Sequence, residues 1–119
     1  MGEIEEFAGK LFDLARAGDD ALLAYIAHGV NPNLVNQNGD SFVMLAAYSG
    51  HAQLVHKLIS AGADPDLVND RGQSPLAGAV FKKEDAVIDV LVDAGADTTQ
   101  AAEFARMFGR TDLLARFIQ

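Results

Sequence analysis

Cysteine is absent from the 119-residue sequence. Disulfides, thiolate nucleophiles and Cys-ligated zinc are therefore excluded, and cysteine usage says nothing about redox compartment. Positive charge is scarce. Nine Lys and Arg stand against 17 Asp and Glu, and the formal charge of −8 makes a field that repels phosphate backbones and anionic lipid headgroups. Neither nucleic acid nor a membrane surface is an expected partner. Long apolar runs are missing too, since none approaches the roughly 18 residues of a membrane span. The opening "MGEIEEFAGK" carries three glutamates in place of a basic stretch followed by an apolar one, unlike a secretory leader. Position 6, which a myristoylation signal fills with Ser or Thr, is Glu6. These absences leave a cytoplasmic location as the expectation.

Apolar residues make up half of the chain and charged ones 22%, within the range of folded soluble domains. A chain of this length makes about one domain and buries roughly two thirds of its unfolded surface. Within it a stretch is written twice. "HGVNPNLVNQNGDSFV" from His28 to Val43 lies over "AGADPDLVNDRGQSPL" from Ala61 to Leu76, pairing Gly29 with Gly62, Pro32 with Pro65, Gly39 with Gly72 and Ser41 with Ser74. Gly29, Gly62 and Gly95 recur at a spacing of 33 residues, the mark of a repeat architecture. Leu54, Val55, Leu58 and Ile59 return at the same spacing as Val87, Ile88, Leu91 and Val92, a pattern that makes one helical face apolar. Weaker copies lie at Leu22, Leu23 and Ile26 and at Leu113, Leu114, Phe117 and Ile118, so four units are expected.

Each unit reads as two short helices. In the second unit Ser41 caps a helix from about Phe42 to Ser49, Gly50-His51 turns the chain, and another helix runs from about Ala52 to Ser60 before Gly62 stops it. Ser74-Pro75 opens the next pair in the same manner. Between units, "NPNLVNQNGD" and "DPDLVNDRGQ" are dense in turn-forming Asn, Asp, Pro and Gly and predict a projecting finger. Helices of about eight to ten residues do not persist alone in water. Stacking of pair on pair must supply the stability.

The segments "NGDSFVMLAAYSGHAQLVHKLISAGADPD" (38–66) and "RGQSPLAGAVFKKEDAVIDVLVDAGADTT" (71–99) resemble the finger, helix start, Gly-His turn and Gly-Ala-Asp ending of ankyrin repeat proteins. The resemblance implies an all-α ankyrin-repeat solenoid of about four helix-turn-helix units with β-turn fingers. Its expected divisions are an N-terminal capping repeat (1–33), repeats at 34–66 and 67–99, and a C-terminal capping helix pair (100–119). Departures are visible: Met44 and Ala77 replace the histidine of the family's helix start, Lys83-Glu84 replaces one Gly-His turn, and the spacing from Val87 to Leu113 is only 26 residues. A last finger is missing, as befits a terminal unit with one face unpartnered.

No catalytic constellation emerges. His51 and His56 are five apart and share no helical face, unlike a metal-binding i, i+4 pair; His51 fits a structural turn position, and His28 suits a helix end. Asp64 and Asp66 resemble a metal-ligating pair, but their counterparts one period earlier are Asn31 and Asn33, so turn formation explains both. Ser41 and Ser74 lie in no nucleophile elbow, and the glycines mark repeat ends rather than phosphate loops. We expect no enzyme activity, no cofactor and no metal.

The resemblance implies protein recognition on a concave surface of fingers and first helices. Carried across residue by residue, that surface comprises Gln37, Asn38 and Asp40 in one finger and Asp70, Arg71 and Gln73 in the next. Its helices present Tyr48 and Ser49, Phe81 and Lys82, then Met107 with Phe108, and Arg16 near the start. Arg16, Tyr48, Phe81 and Met107 form a row of residue types common in interface anchors. Asp85, Asp89 and Asp93 ride an outer helix at i, i+4, i+8, whereas Arg16, Arg71, Lys82 and Arg106 are expected on or near the groove. The expected partner is another protein bound by a monomer. Two alternatives are a homodimer through the C-terminal cap, crowded with Phe104, Met107, Phe108, Leu113, Leu114, Phe117 and Ile118, and a small-molecule site in the groove.

Overall fold

Four chain reversals of one kind build the molecule. The N–H groups of Gly18, Gly50, Lys83 and Gly109 donate to the carbonyls three residues back, and those of Asp19, His51, Glu84 and Arg110 to the carbonyls five back. That pair of hydrogen bonds requires a left-handed residue, and φ is +69°, +81°, +60° and +70° at the four positions. In a computed structural model describing residues 2–118, the reversals join α1 (Glu3–Ala17) to α2 (Ala21–Ala27), α3 (Phe42–Tyr48) to α4 (Ala52–Ser60), α5 (Pro75–Lys82) to α6 (Asp85–Asp93), and α7 (Thr99–Met107) to α8 (Thr111–Phe117). Among the described residues the only β pairing is an isolated bridge, Val35 to Ser41. The fold is all-helical, and none of these helices is long and apolar enough to cross a membrane.

The first helices α1, α3, α5 and α7 lie side by side, with α4 against α6 behind them, in a body 46 Å long and 25 by 19 Å across. The repeated apolar positions meet between units: Leu54, Val55 and Leu58 are buried together with Val87, Ile88 and Leu91. Ser41 and Ser74 cap α3 and α5, their hydroxyls accepting the N–H of Met44 at 3.0 Å and of Ala77 at 3.1 Å.

Lys83 is the only described residue other than glycine with positive φ. The left-handed well costs an L-residue about 1–2 kcal/mol, partly offset by the entropy a glycine loses on folding. Lys83→Gly is expected to stabilise by about 0.5–1 kcal/mol and raise Tm by roughly 2–5 °C. A lower Tm in a thermal melt would count against this account of the turn.

Polar side chains tie the units together along one edge. Asn31 Oδ1 accepts the Asn33 N–H, Asn33 Oδ1 that of Asp64, Asp64 Oδ1 that of Asp66, Asp66 Oδ1 that of Asp97, and Asp97 Oδ1 that of Thr99, all at 2.8–2.9 Å. The acceptors that resembled metal ligands are thus committed to backbone N–H groups, two of the bonds crossing between units. Hydrogen bonds from the backbone N–H and side chain of Thr99 hold the Asp97 carboxyl below the usual carboxylate range. A lowered folded-state pKa adds stability above the unfolded pKa of about 3.9, lost as pH falls through the folded value. Urea midpoints should therefore fall with acidification below about pH 4, and Asp97→Asn should remove part of that slope. Identical slopes in the two proteins would refute it.

Candidate protein-binding face

Each finger is a five-residue loop stitched by one asparagine. Asn36 Oδ1 accepts the N–H groups of Asn38 and Asp40, and Asn69 Oδ1 those of Arg71 and Gln73. The fingers then join each other: Asp70 N–H donates to the Asn38 carbonyl and Asn69 Nδ2 to Asp40 Oδ1, both at 3.0 Å. Beyond the second finger the third is missing, and Gln100 of α7 takes its place, donating from Nε2 to the Gly72 carbonyl and accepting the Ser74 N–H at Oε1, both at 2.7 Å. Gln100 falls where Ser41 and Ser74 stand in the preceding units, but those serines cap helices, so repeat position does not reveal the bridging role.

Between fingers and helices, Asp40, Tyr48, Asn69, Arg71 and Gln73 line a recess of ≈ 120 Å³ with Met44 and Leu45 beneath. A second recess of ≈ 250 Å³ lies among Asn38, Asp40, Asp70 and Arg71. Next to the first runs an aromatic row. The rings of Tyr48 and Phe81 stack at 6.5 Å and 18°, Phe81 meets Phe108 at 5.9 Å, and Phe108 meets Phe104 edge-on at 6.0 Å. Gly78 makes space for it, since a Cβ there would come 3.1 Å from the Tyr48 ring. Lys82 Nζ stands 5.2 Å over the same ring, within cation–π range. Phe81 is 50% exposed, Phe108 45% and Met107 73%, and Ser49 is exposed nearby in sequence.

Some expected members fall elsewhere. Arg16 is exposed with its guanidinium on Asp13 at 2.9 Å, and the ring contacts of the row start at Tyr48. Gln37 lines a different recess with Glu5, Phe12 and Val35. Phe108, not Met107, continues the ring contacts, because its i, i+4 neighbour Phe104 supports it. Arg106 occupies the repeat position of the buried Ala47 and Val80, which places it on the open end of the stack rather than in the groove. The outer acidic stripe is also more engaged than its spacing implied: Arg110 bonds Asp85 at 3.3 Å and Arg116 bonds Asp89 at 2.8 Å, fastening α8 to α6. Hydrogen bonds from Arg110 hold the Asp112 carboxyl below its ordinary range, and Asp112 in turn raises Arg110.

Two of the three histidines make structural contacts, and His56 is exposed. His51 Nε2 is 2.8 Å from the Arg16 carbonyl and His28 Nδ1 2.7 Å from that of Ala24. Among the described residues no group of three or more His, Cys, Asp or Glu could hold a metal ion.

A sequence profile of three ankyrin repeats matches residues 11–102. The chain belongs to the ankyrin repeat family. An ankyrin repeat protein of Pseudomonas aeruginosa is 50% identical over 54 residues, which are 44% of this chain and 32% of that protein. The crystal structure of the human ASB11 ankyrin repeat domain superposes with a TM-score of 0.67 at 36% identity, covering 72% of this chain and 39% of the other. The chain thus spans well under half the length of either relative. Ankyrin repeats are in general protein–protein interaction modules and typically a non-enzymatic binding fold.

Proposed function

We propose that this ankyrin repeat chain is a non-catalytic interaction module that binds a partner protein across its fingers and first helices. The carrying observation is the continuous aromatic row from Tyr48 through Phe81 to Phe108. Single exposed apolar residues are ordinary, but rings preset against one another on rigid helices offer contact area at little entropic cost. Polar groups at the finger bases line the recess beside Tyr48 at one end of that row, as a polar rim borders an interface core.

Self-association through the C-terminal cap has less behind it. Leu113 and Phe117 are buried, Phe104 and Leu114 pack onto the core, and only Met107, Phe108 and Ile118 remain exposed. The cap's apolar residues chiefly close its own end of the stack.

Affinity capture from the native host, comparing wild type with a Tyr48→Ala, Phe81→Ala double variant of verified helicity, tests the assignment. A specific protein held by wild type should be lost from the variant, about tenfold or more in affinity. Equal capture by both would place the interface elsewhere.

A further inference from the structure

Charge around the aromatic row specifies what kind of segment it accepts. Among the described residues Arg16, Lys57, Arg110 and Arg116 each hold a carboxylate. Lys10, Arg71, Lys82, Lys83 and Arg106 form no such pair, and three of these five, Arg71, Lys82 and Lys83, belong to the second finger and the end of α5, with Lys82 over the Tyr48 ring and Arg71 in the recess that Tyr48 lines. A chain of net charge −8 therefore keeps a cluster of uncommitted cations next to its most exposed aromatic surface. Asp40 and Asp70 line the adjoining recess together with Arg71, and Asp40 Oδ1 already accepts from Asn69.

We propose, resting on the binding face assigned above, that the partner contributes an acidic segment with a bulky apolar side chain. That side chain seats on Phe81 between Tyr48 and Phe108, and a carboxylate beside it meets Lys82. Lys82 is already drawn to the rings by the Tyr48 quadrupole, so its ammonium waits at the row's edge. Gln73 Oε1 is buried in the ≈ 120 Å³ recess and accepts no hydrogen bond within the chain. That oxygen is closed to the surface, so the segment is held by the rings and by Lys82 rather than by a bond to Gln73. Repulsion from the protein's net charge does not prevent this docking. At physiological salt the Debye length is about 8 Å, so acidic groups on the far side of a body 25 Å across are screened while Lys82 acts in contact.

A random-peptide display library panned on the intact protein tests the inference, followed by anisotropy titrations of the enriched peptides against wild type, Lys82→Glu and Phe81→Ala. The expected peptides pair Asp or Glu with Trp, Phe or Leu and weaken about tenfold on either substitution and at high salt. Lys82 is exposed, so Lys82→Glu should fold as wild type does and keeps the test decisive. Enriched peptides that are basic or uncharged, lost on Phe81→Ala but indifferent to Lys82→Glu, would overturn the acidic segment and leave the face standing. Peptides indifferent to Phe81→Ala would overturn both. Enrichment of nothing overturns the proposal that a short segment suffices.

Discussion

Phe42→Ala is expected to lower the unfolding free energy by about 3–5 kcal/mol. Its side chain is 0% exposed, and its ring lies 5.2 Å from that of Phe12 across the junction of the first two units. Truncation removes a large apolar transfer term and leaves a cavity that the flanking helices α1 and α3 cannot close without separating. In a stacked array each unit is stabilised by its neighbours, so the loss falls on the coupling that keeps the N-terminal pair folded. Domains of this kind hold about 5–15 kcal/mol in total. The change should therefore pull the urea midpoint down sharply and broaden the transition as the first unit separates from the rest. Phe81→Ala serves as the internal control: the same residue type, half exposed, should cost well under half as much. Equal costs at the two positions would mean that the units do not depend on burial between them.

Gly39→Ala is expected to cost about 1–3 kcal/mol and to weaken partner binding as well. Gly39 sits at φ +75°, where an L-side chain is strained. Its added Cβ would also fall 2.9 Å from the Asp70 backbone nitrogen and collide with the Asp70 carboxylate. That nitrogen donates to the Asn38 carbonyl, so relief of the clash must pry one finger from the next. Gly72, at the same φ in the following finger, would meet nothing within 4 Å, because the finger beyond it is absent. Gly72→Ala should thus show the dihedral cost alone, about 1 kcal/mol. If the two variants melt alike, finger-to-finger contact contributes nothing.

Much of this arrangement is written in the chain. A glycine spacing of 33 residues, Ser41 and Ser74 ahead of apolar runs, and Gly62 after one locate helix starts and ends, since these depend on local dihedral preference and on groups a few residues away. The bounds of α4 and the serine caps follow directly. The shortened spacing before Leu113 likewise foretells a unit lacking its finger. What escaped were contacts between residues about 20 to 40 positions apart: His51 on the Arg16 carbonyl, Gln100 in the gap of the missing finger, Arg110 reaching back to Asp85. Residue types at those positions permit several partners, and only the stacking distance selects one.

The groove divides along the same line. Repeat position was enough to nominate Tyr48 and Phe81, because equivalent positions in a solenoid must face the same way. It favoured Met107 over Phe108, because equivalence weakens in the last unit, where no neighbour constrains the side chains. Periodic local preferences thus settled the family, the number of helices and their capping. Which side chains meet, which cations stay uncommitted and how far the rings stand open came from the packing of whole units, since burial and charge pairing depend on distances that sequence order does not record.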